Sequence, residues 1–417
     1  MSSCYNLAVN ILFIHQNLPG QFGHLIRHLA MSRAHRIVCV TRRKDFTPPG
    51  IGRVTYDLPD GLLPEINPFL TPLEAAVRHG MQVAHACQAL AGNGFTPDLI
   101  VAHPGWGESL YVKEVFPTTP LLHYCEFFYR PHGADVNFDP AARQDLAANC
   151  ATRTRNAHLL LALEASDWGI SPTLWQKSVH PAAFHDRIAV RFDGIDTDAA
   201  SPDRGATFTL PDGRVARVGD PIITFVARGL EPYRGFPSFM RALPEILRRL
   251  PEARVVVVGA DTTFYGAPPA DGRTWRETLL EEVAIDPTRV HFLGHIGYGE
   301  YLNLLRVSAA HVYLTVPFVL SWSMLEAMAA GCVVIGSATA PVQEVIEDGR
   351  NGFLVDFFSP AMIADRVVDA VANPDRMRPI RQAARWTALS RYALERCLPR
   401  QAALLEAVAA GDAPALD

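Results

Sequence analysis

Residues 311–336 read HVYLTVPFVLSWSMLEAMAAGCVVIG, and this stretch decides the fold. Residues 311–314 form an apolar strand, 315–321 an irregular turn containing Pro317, and 332–335 a second apolar strand. Between them Met324, Leu325, Ala327, Met328 and Ala329 make a helix of small and apolar residues, with Glu326 as its one carboxylate. Strand, loop, helix and strand in that order is the repeating unit of a parallel sheet. The carboxyl ends of such strands line the crevice where α/β folds bind ligands. The stretch therefore predicts a ligand beside the turn at 315–321 and near Glu326.

The same rhythm extends in both directions. Strand-like runs fall at 11–14, 37–41, 99–102, 121–124, 169–171 and 188–191, and again at 222–227, 254–258, 290–293 and 353–355. Most are continuously apolar, as strands covered on both faces are. Strands alternating with helical segments predict doubly wound parallel sheets. From 194 to 220 the chain turns loop-like, with Pro211-Asp212-Gly213 and Gly219-Asp220-Pro221. The expected architecture is α/β, with two Rossmann-like domains facing across a cleft. They cover residues 1–200 and 201–385, and a helical segment at 386–417 packs back toward the first.

At 417 residues the chain is too long for one ordinary core. A net charge of -5 gives no electrostatic reason to bind nucleic acid. Cys4, Cys39, Cys87, Cys125, Cys150, Cys332 and Cys397 are scattered without CxxC spacing, which suits a reducing cytoplasm and argues against a zinc site. The N-terminal apolar run from Leu7 ends in polar His15-Gln16-Asn17, so it reads as a first strand rather than a signal peptide. No apolar stretch is long enough to span a membrane. A cytoplasmic protein is expected, with room for peripheral contact at the inner face of a membrane.

Several strand ends carry residues suited to chemistry. The first turn, from His15 through Gly20 to Gly23, is either a tight βα turn or a substrate-contacting loop, with Gln16 and Gly20 as contacts. His103 closes the strand at 99–102 and is followed by Trp106 and Glu108. His123 and Glu126 lie in and after the next strand. A carboxylate leaving a buried strand either pairs structurally or does chemistry. Asp196-Thr197-Asp198 is a lone DxD and a weak metal signal. Arg228 and Arg234 follow the first strand of the second half, where two guanidinium forks can converge on a phosphate pair. Gly259 and Gly294-His295-Ile296 follow two further strands, where backbone can approach a base.

These residues have a familiar order. Arg228, Arg234-Gly235, Gly259, Phe292-Leu293-Gly294, the helix Leu325-Glu326-Ala327-Met328-Ala329-Ala330-Gly331 and Glu347-Asp348-Gly349-Arg350-Asn351-Gly352 resemble glycosyltransferase family 4, the retaining GT-B nucleotide-sugar transferases. The resemblance implies a GT-B fold, a hexosyltransferase type of activity, a nucleotide-sugar donor on the C-terminal domain and a hydroxyl acceptor on the N-terminal one. The acceptor could be a glycan, a lipid-linked glycan, a protein or a small molecule. It implies no cofactor and no metal. Carried over by position, Arg228 and Arg234 hold the diphosphate, Glu326 receives the ribose hydroxyls, and Gly294-His295-Ile296 meets the base. Two departures stand out. The first glutamate of the family's E-x7-E motif is Phe318 here, which either alters sugar recognition or leaves part of that role to Ser321 and Ser323, with Trp322 between them as a further donor-binding candidate. The position where many relatives have a cleft histidine is Glu126, so Glu126, His103 or His123 faces the anomeric carbon. A sugar phosphorylase, an epimerase or a silent nucleotide-sugar binder would share the donor residues.

Overall fold

The computed structural model describes residues 9–46, 48–58, 66–140 and 145–416. Cys4 and the start of the apolar run at Leu7 lie outside them. The chain forms two units, one built from the chain up to Gly194 together with the chain from Leu394 onward, the other from Ile195–Ala393.

The first unit contains strands β1 (Asn10–Ile14), β2 (Arg36–Thr41), β3 (Gly52–Thr55), β4 (Leu99–Ala102), β5 (Leu121–Tyr124), β6 (Trp168–Ser171) and β7 (Ile188–Val190). They make one parallel sheet in the order β3-β2-β1-β4-β5-β6-β7. The interior strands are apolar without alternation because both faces are covered. Phe13, Cys39 and Val101 face a core that includes Leu398, Ala402 and Leu405 of the C-terminal helix Leu394–Ala409. Leu12, Val40 and Ile100 face the core under the helix Thr71–Gly92. The edge strand β3, Gly-Arg-Val-Thr, is mostly exposed and too polar to announce itself in the sequence.

The second unit contains β8 (Thr207–Thr209), β9 (Val215–Arg217), β10 (Ile222–Gly229), β11 (Arg254–Ala260), β12 (Val290–Phe292), β13 (Ala310–Tyr313), β14 (Val334–Ser337) and β15 (Phe353–Val355). The last six form a parallel sheet in the order β12-β11-β10-β13-β14-β15. Sequence reading takes 194–220 as linker, but part of it is the antiparallel hairpin β8–β9. Its strands alternate exposed and buried, with Phe208 and Ala216 in a core cluster and Gly213 at φ 84 in the turn.

Two expected boundaries shift. The chain leaves the first unit at Gly194 rather than at 200, and rejoins it at Leu394 rather than at 386. The helix Pro374–Thr387 and the π-helical turn Ala388–Tyr392 stay in the second unit, where Arg385 binds the Ala329 carbonyl at 2.6 Å. In the first unit Gln401 Nε2 anchors the final helix by donating to the Phe192 carbonyl at 2.6 Å.

In both sheets the strand order reverses direction beside the first strand, between β1 and β4 and between β10 and β13. The connections leave on opposite faces there, so a crevice opens at the carboxyl ends.

Candidate functional site

At the switch point of the first unit, His15 directly follows β1, His103 directly follows β4, and Glu126 lies two residues past the end of β5. The Asn17 N–H donates to His15 Nδ1 at 2.9 Å, so Nε2 carries the proton and donates to Gln21 Oε1 at 3.0 Å. Gln21 Nε2 in turn donates to Glu126 Oε1 at 2.5 Å. From the other side the Gly105 N–H donates to His103 Nδ1 at 3.1 Å, and His103 Nε2 faces Glu126 Oε2 at 3.3 Å. Backbone bonds therefore assign both tautomers, and each Glu126 oxygen receives one donor. Burial pushes the Glu126 carboxyl up, but the His103 and Gln21 bonds outweigh it and hold the group below its ordinary value. Its side chain keeps 23% exposure, so an ionised carboxylate stays open to a ligand. Burial, with His103 nearby, lowers His15 to about 3 and keeps it neutral.

Rings close around this relay. His15 and His103 lie 5.0 Å apart, Trp106 lies 4.9 Å from His103 and 5.3 Å from His15, and Tyr124 stacks on His103 at 5.6 Å. Two glycines make room for the imidazoles. A Cβ at Gly20, which sits at φ +45, would meet His15 Nε2 at 2.9 Å, and one at Gly105 would meet His103 Cε1 at 2.6 Å.

The neighbouring predicted residues divide. Trp106 is 38% exposed and borders the cluster. Glu108 is fully buried and accepts the N–H groups of Gln16 at 3.0 Å and Trp106 at 3.2 Å. It clamps the two loops together and does not reach an acceptor, which corrects the sequence expectation. Burial raises its carboxyl to about 7 against those bonds. Gln16 is itself buried, with its carbonyl taken by the Thr41 hydroxyl at 2.9 Å. His123 is also corrected. Strand alternation puts it on the face opposite Tyr124, fully buried, and neither ring nitrogen has a hydrogen-bond partner among the described residues. Burial lowers it to about 3. Arg130 binds the carbonyls of Val179 and His180 and is structural.

At the switch point of the second unit, Arg228 and Arg234 flank the turn after β10. Arg228 lies over the Phe264 ring at 4.3 Å. Arg234 Nη1 donates to Thr315 Oγ1 at 3.1 Å and to the Val319 carbonyl at 3.3 Å, with the rings of Phe318 and Tyr265 at 5.7 and 5.8 Å. Glu231, buried between the arginines in sequence, accepts the N–H groups of Phe264 and Tyr265 at 2.5 and 2.8 Å. That clamp sets the loop on which both rings sit. Phe318 is 4% exposed and packs edge-on against Tyr265 at 4.9 Å and Tyr233 at 5.7 Å. The residue in the place of the family's first glutamate therefore builds an aromatic wall behind Arg234.

Glu326 is buried, and both oxygens are held: Tyr298 donates to Oε1 and Tyr301 to Oε2, each at 2.8 Å. Burial raises its carboxyl, and the two phenols only partly offset this. Ser321 caps the helix Trp322–Ala329, its Oγ 2.9 Å from Ser323 Oγ, and its N–H donates to the Tyr313 hydroxyl at 2.9 Å. Trp322 is half-buried in the first turn of the same helix. Gly259 allows a close approach, since a Cβ there would meet the Ala227 carbonyl at 2.7 Å, and its N–H donates to the Gly294 carbonyl at 2.9 Å. Gly294 sits at φ +64 and leaves His295 exposed, while Ile296 packs on the core under the hairpin.

Sequence reading did not single out His15, Gln21, Glu231, Phe264, Tyr265, Tyr298 or Tyr301 as site residues. His15 and Gln21 carry a signal, since both flank the glycine turn after a buried strand. The tyrosines and Phe264 lie in segments without a motif and reach the site only by folding. Asp196 of the DxD accepts the Ala199 N–H at 2.8 Å and serves a turn. Among the described residues no group of three His, Cys, Asp or Glu side chains is placed to hold a metal, and no helix is long and apolar enough to cross a membrane.

Two family models match in chain order, "Glycosyl transferase family 4 group" over residues 33–200 and "Glycosyl transferases group 1" over residues 220–373. Among curated proteins, the D-inositol 3-phosphate glycosyltransferase of Streptomyces scabiei is 27% identical over 206 residues, 47% of this chain and 43% of that protein. The GDP-mannose-dependent alpha-(1-6)-phosphatidylinositol monomannoside mannosyltransferase of Mycolicibacterium smegmatis is 27% identical over 212 residues, 48% of this chain and 51% of its own. The matched part thus spans about half the length of these relatives. Among solved structures, Anabaena HepE in complex with UDP-glucose aligns with a TM-score of 0.66 at 16% identity, covering 96% of this chain and 100% of that one. The sucrose-phosphate synthase of Thermosynechococcus elongatus aligns with a TM-score of 0.68 at 18% identity, covering 97% and 100%. At these identities the likeness speaks to fold, and the fold is GT-B. With both halves matched in order and both Rossmann-like units built, the chain belongs to glycosyltransferase family 4.

Proposed function

We propose that the protein is a retaining glycosyltransferase that moves a sugar from a nucleotide-diphosphate sugar to a hydroxyl acceptor without a metal ion or other cofactor. The observation that carries the reading is the arginine pair at the carboxyl end of β10. Arg228 rests on the Phe264 ring and Arg234 is fixed by Thr315 and the Val319 carbonyl, so both guanidiniums are oriented before a ligand arrives. Neither forms an ion pair with a carboxylate among the described residues, which leaves their charge for a diphosphate.

In this reading the leaving diphosphate develops negative charge that Arg228, Arg234 and the amino end of the helix Trp322–Ala329 offset. Glu326 receives the donor ribose, and Ser321 and Ser323 border the sugar. Gly259, Gly294 and His295 lie along the base. In the first unit the ionised Glu126 orients the acceptor hydroxyl and opposes the positive charge that grows at the anomeric carbon. His103 holds Glu126 in place, and Trp106 supplies a ring face for the acceptor. The reaction is a front-face displacement in which the leaving phosphate takes the acceptor proton. The activities of these relatives support a place in glycan or glycoconjugate synthesis. The six cysteines among the described residues are free thiols, which fits a reducing compartment, so the expected setting is the cytoplasm, at the inner face of a membrane if the acceptor is lipid-linked.

Arg228→Ala or Arg234→Ala is expected to lower turnover by at least about tenfold, because each removes a charge-assisted bond worth roughly 1.5–3 kcal/mol. Near-wild-type transfer in both variants would sink the assignment. A thermal-shift screen with UDP, GDP and their sugars identifies the donor, since a ligand at 100 times its Kd stabilises by about 2.7 kcal/mol.

A further inference from the structure

The second unit carries a cavity at the opposite end of its sheet from the arginine pair, by the amino ends of the strands. About 650 Å³ in volume, it is bordered by Pro221, Ala309 and Gly331, which precede β10, β13 and β14. Ligands of the reaction are expected at the carboxyl ends of these strands, so this cavity at their amino ends is not part of the candidate site. Its lining holds five arginines, Arg204, Arg306, Arg378, Arg381 and Arg385, against a single carboxylate, Asp203. The chain as a whole is acidic, at -5.

Three of these guanidiniums are fixed by backbone carbonyls. Arg381 Nη1 donates to Gly331 at 2.7 Å and its Nη2 to Ala309 at 2.7 Å. Arg385 Nη1 donates to Ala329 at 2.6 Å, and Arg306 holds Ser201 and Ala199 at 2.9 and 2.6 Å. Backbone carbonyls orient a cation but bring only partial negative charge. Burial accordingly lowers the pKa of both Arg381 and Arg385. Arg204 is exposed and has no hydrogen-bond or ion-pair partner among the described residues, and Arg378 is paired only with the exposed Asp375 at 2.9 Å. Cations crowded in one concavity repel one another, and a bound anion relieves that cost.

We propose that this cavity is a second binding site, for a small phosphate-bearing polyanion. Arg204 and Arg378 close on the phosphates, while Arg381 and Arg385 supply fixed charge at the floor. The site has a physical connection to Glu326. The helix Tyr298–Val307, whose phenols hold Glu326, ends at Ser308 in the cavity wall, and the helix Trp322–Ala329, which carries Glu326, ends at Ala330 and Gly331 in the same wall. An occupant therefore bears on the far ends of both helices and acts as an effector rather than as a reactant.

Inorganic pyrophosphate titrated calorimetrically into the full chain tests this. Arg204→Glu with Arg378→Glu, both exposed positions, is expected to remove one binding event from the wild-type isotherm, or weaken it at least about tenfold by the loss and reversal of two charges. The milder Arg204→Ala weakens the same event and guards against a folding defect, which a melting curve reports. An Arg228→Ala, Arg234→Ala variant should retain this event, so failure of the donor assignment and failure of this site are separable. Pyrophosphate binding unchanged in both cavity variants, or no binding to the wild-type chain, overturns the proposal.

Discussion

Glu126 and Glu326 are both largely enclosed carboxylates at the ligand-facing ends of parallel sheets, and each receives one donor on each oxygen. Their pKa values nevertheless move in opposite directions. Glu126 is held down and Glu326 is pushed up. Burial raises both, so the partners decide. Glu126 faces an imidazole N–H and a primary amide and keeps some solvent, whereas Glu326 is buried and held by two phenols of the helix Tyr298–Val307. On the proposed reading the first arrangement holds a charge for chemistry, and the second keeps an acceptor in a fixed position for a neutral hydroxyl. The same residue type thus suits an electrostatic role in one unit and a positioning role in the other.

The largest effect is expected where the second unit's site depends on packing. Phe318→Ala removes a ring that is 4% exposed and touches Tyr233 and Tyr265, and should cost roughly 3–5 kcal/mol of stability, with Arg234 losing its wall. Denaturant unfolding measures this, and a loss under about 1 kcal/mol would show that Phe318 does not organise the arginine end.

Glu126→Gln keeps the shape and removes the charge. Turnover should fall by about 10²–10³ with donor affinity unchanged, the range seen when an electrostatic stabiliser is lost. Unchanged turnover returns Glu126 to a structural role and ends the contrast with Glu326. The wild-type carboxylate also contributes stability that is present above its unfolded pKa and lost as pH falls through the depressed folded value. Glu126→Gln should therefore lack that acid limb in a melting profile.

Glu108 gives the opposite sign in the same unit. Its folded value of about 7 lies above the unfolded carboxylate value, so the unfolded chain releases its proton first and stability falls as pH rises from 4.5 to 7. That fall amounts to roughly 3 kcal/mol. Melting temperature against pH, compared between the wild type and Glu108→Gln, should show it in the wild type alone. Parallel profiles would mean that the backbone donors of Gln16 and Trp106 fully offset burial.

The smallest effect is at Tyr298, which is 53% exposed and supplies one of the two bonds to Glu326. Tyr298→Phe should change donor affinity by a few-fold, about 1 kcal/mol. A thermal shift with the preferred donor reads it, and a change beyond about 100-fold would make Tyr298 itself a principal donor contact.

Much of the fold was legible because parallel strands buried on both faces leave continuous apolar runs, as in Ile11 to Ile14 and Val255 to Val258. What escaped lay at edges. The strand β3 is polar because one side meets water, and the β8–β9 hairpin sits in a turn-rich segment that reads as linker. In the candidate site, Arg228, Arg234, Glu326 and Glu126 stood out because strand ends and spacing point to them. Their partners did not, because a hydrogen bond such as Tyr301 to Glu326 or Gln21 to Glu126 joins residues 25 and 105 positions apart.

The sequence by itself determined the two doubly wound halves and the family, since apolar periodicity and the order of strand-end motifs are local properties of the chain. Only the tertiary structure decided which way each side chain serves. It turned Glu108 inward as a clamp, closed His123 into the core, packed Phe318 as a wall against Tyr233 and Tyr265, and surrounded Glu126 with donors. The reason is that charge state and exposure depend on what folding brings within about 3 Å of a group, and spacing along the chain does not encode that distance.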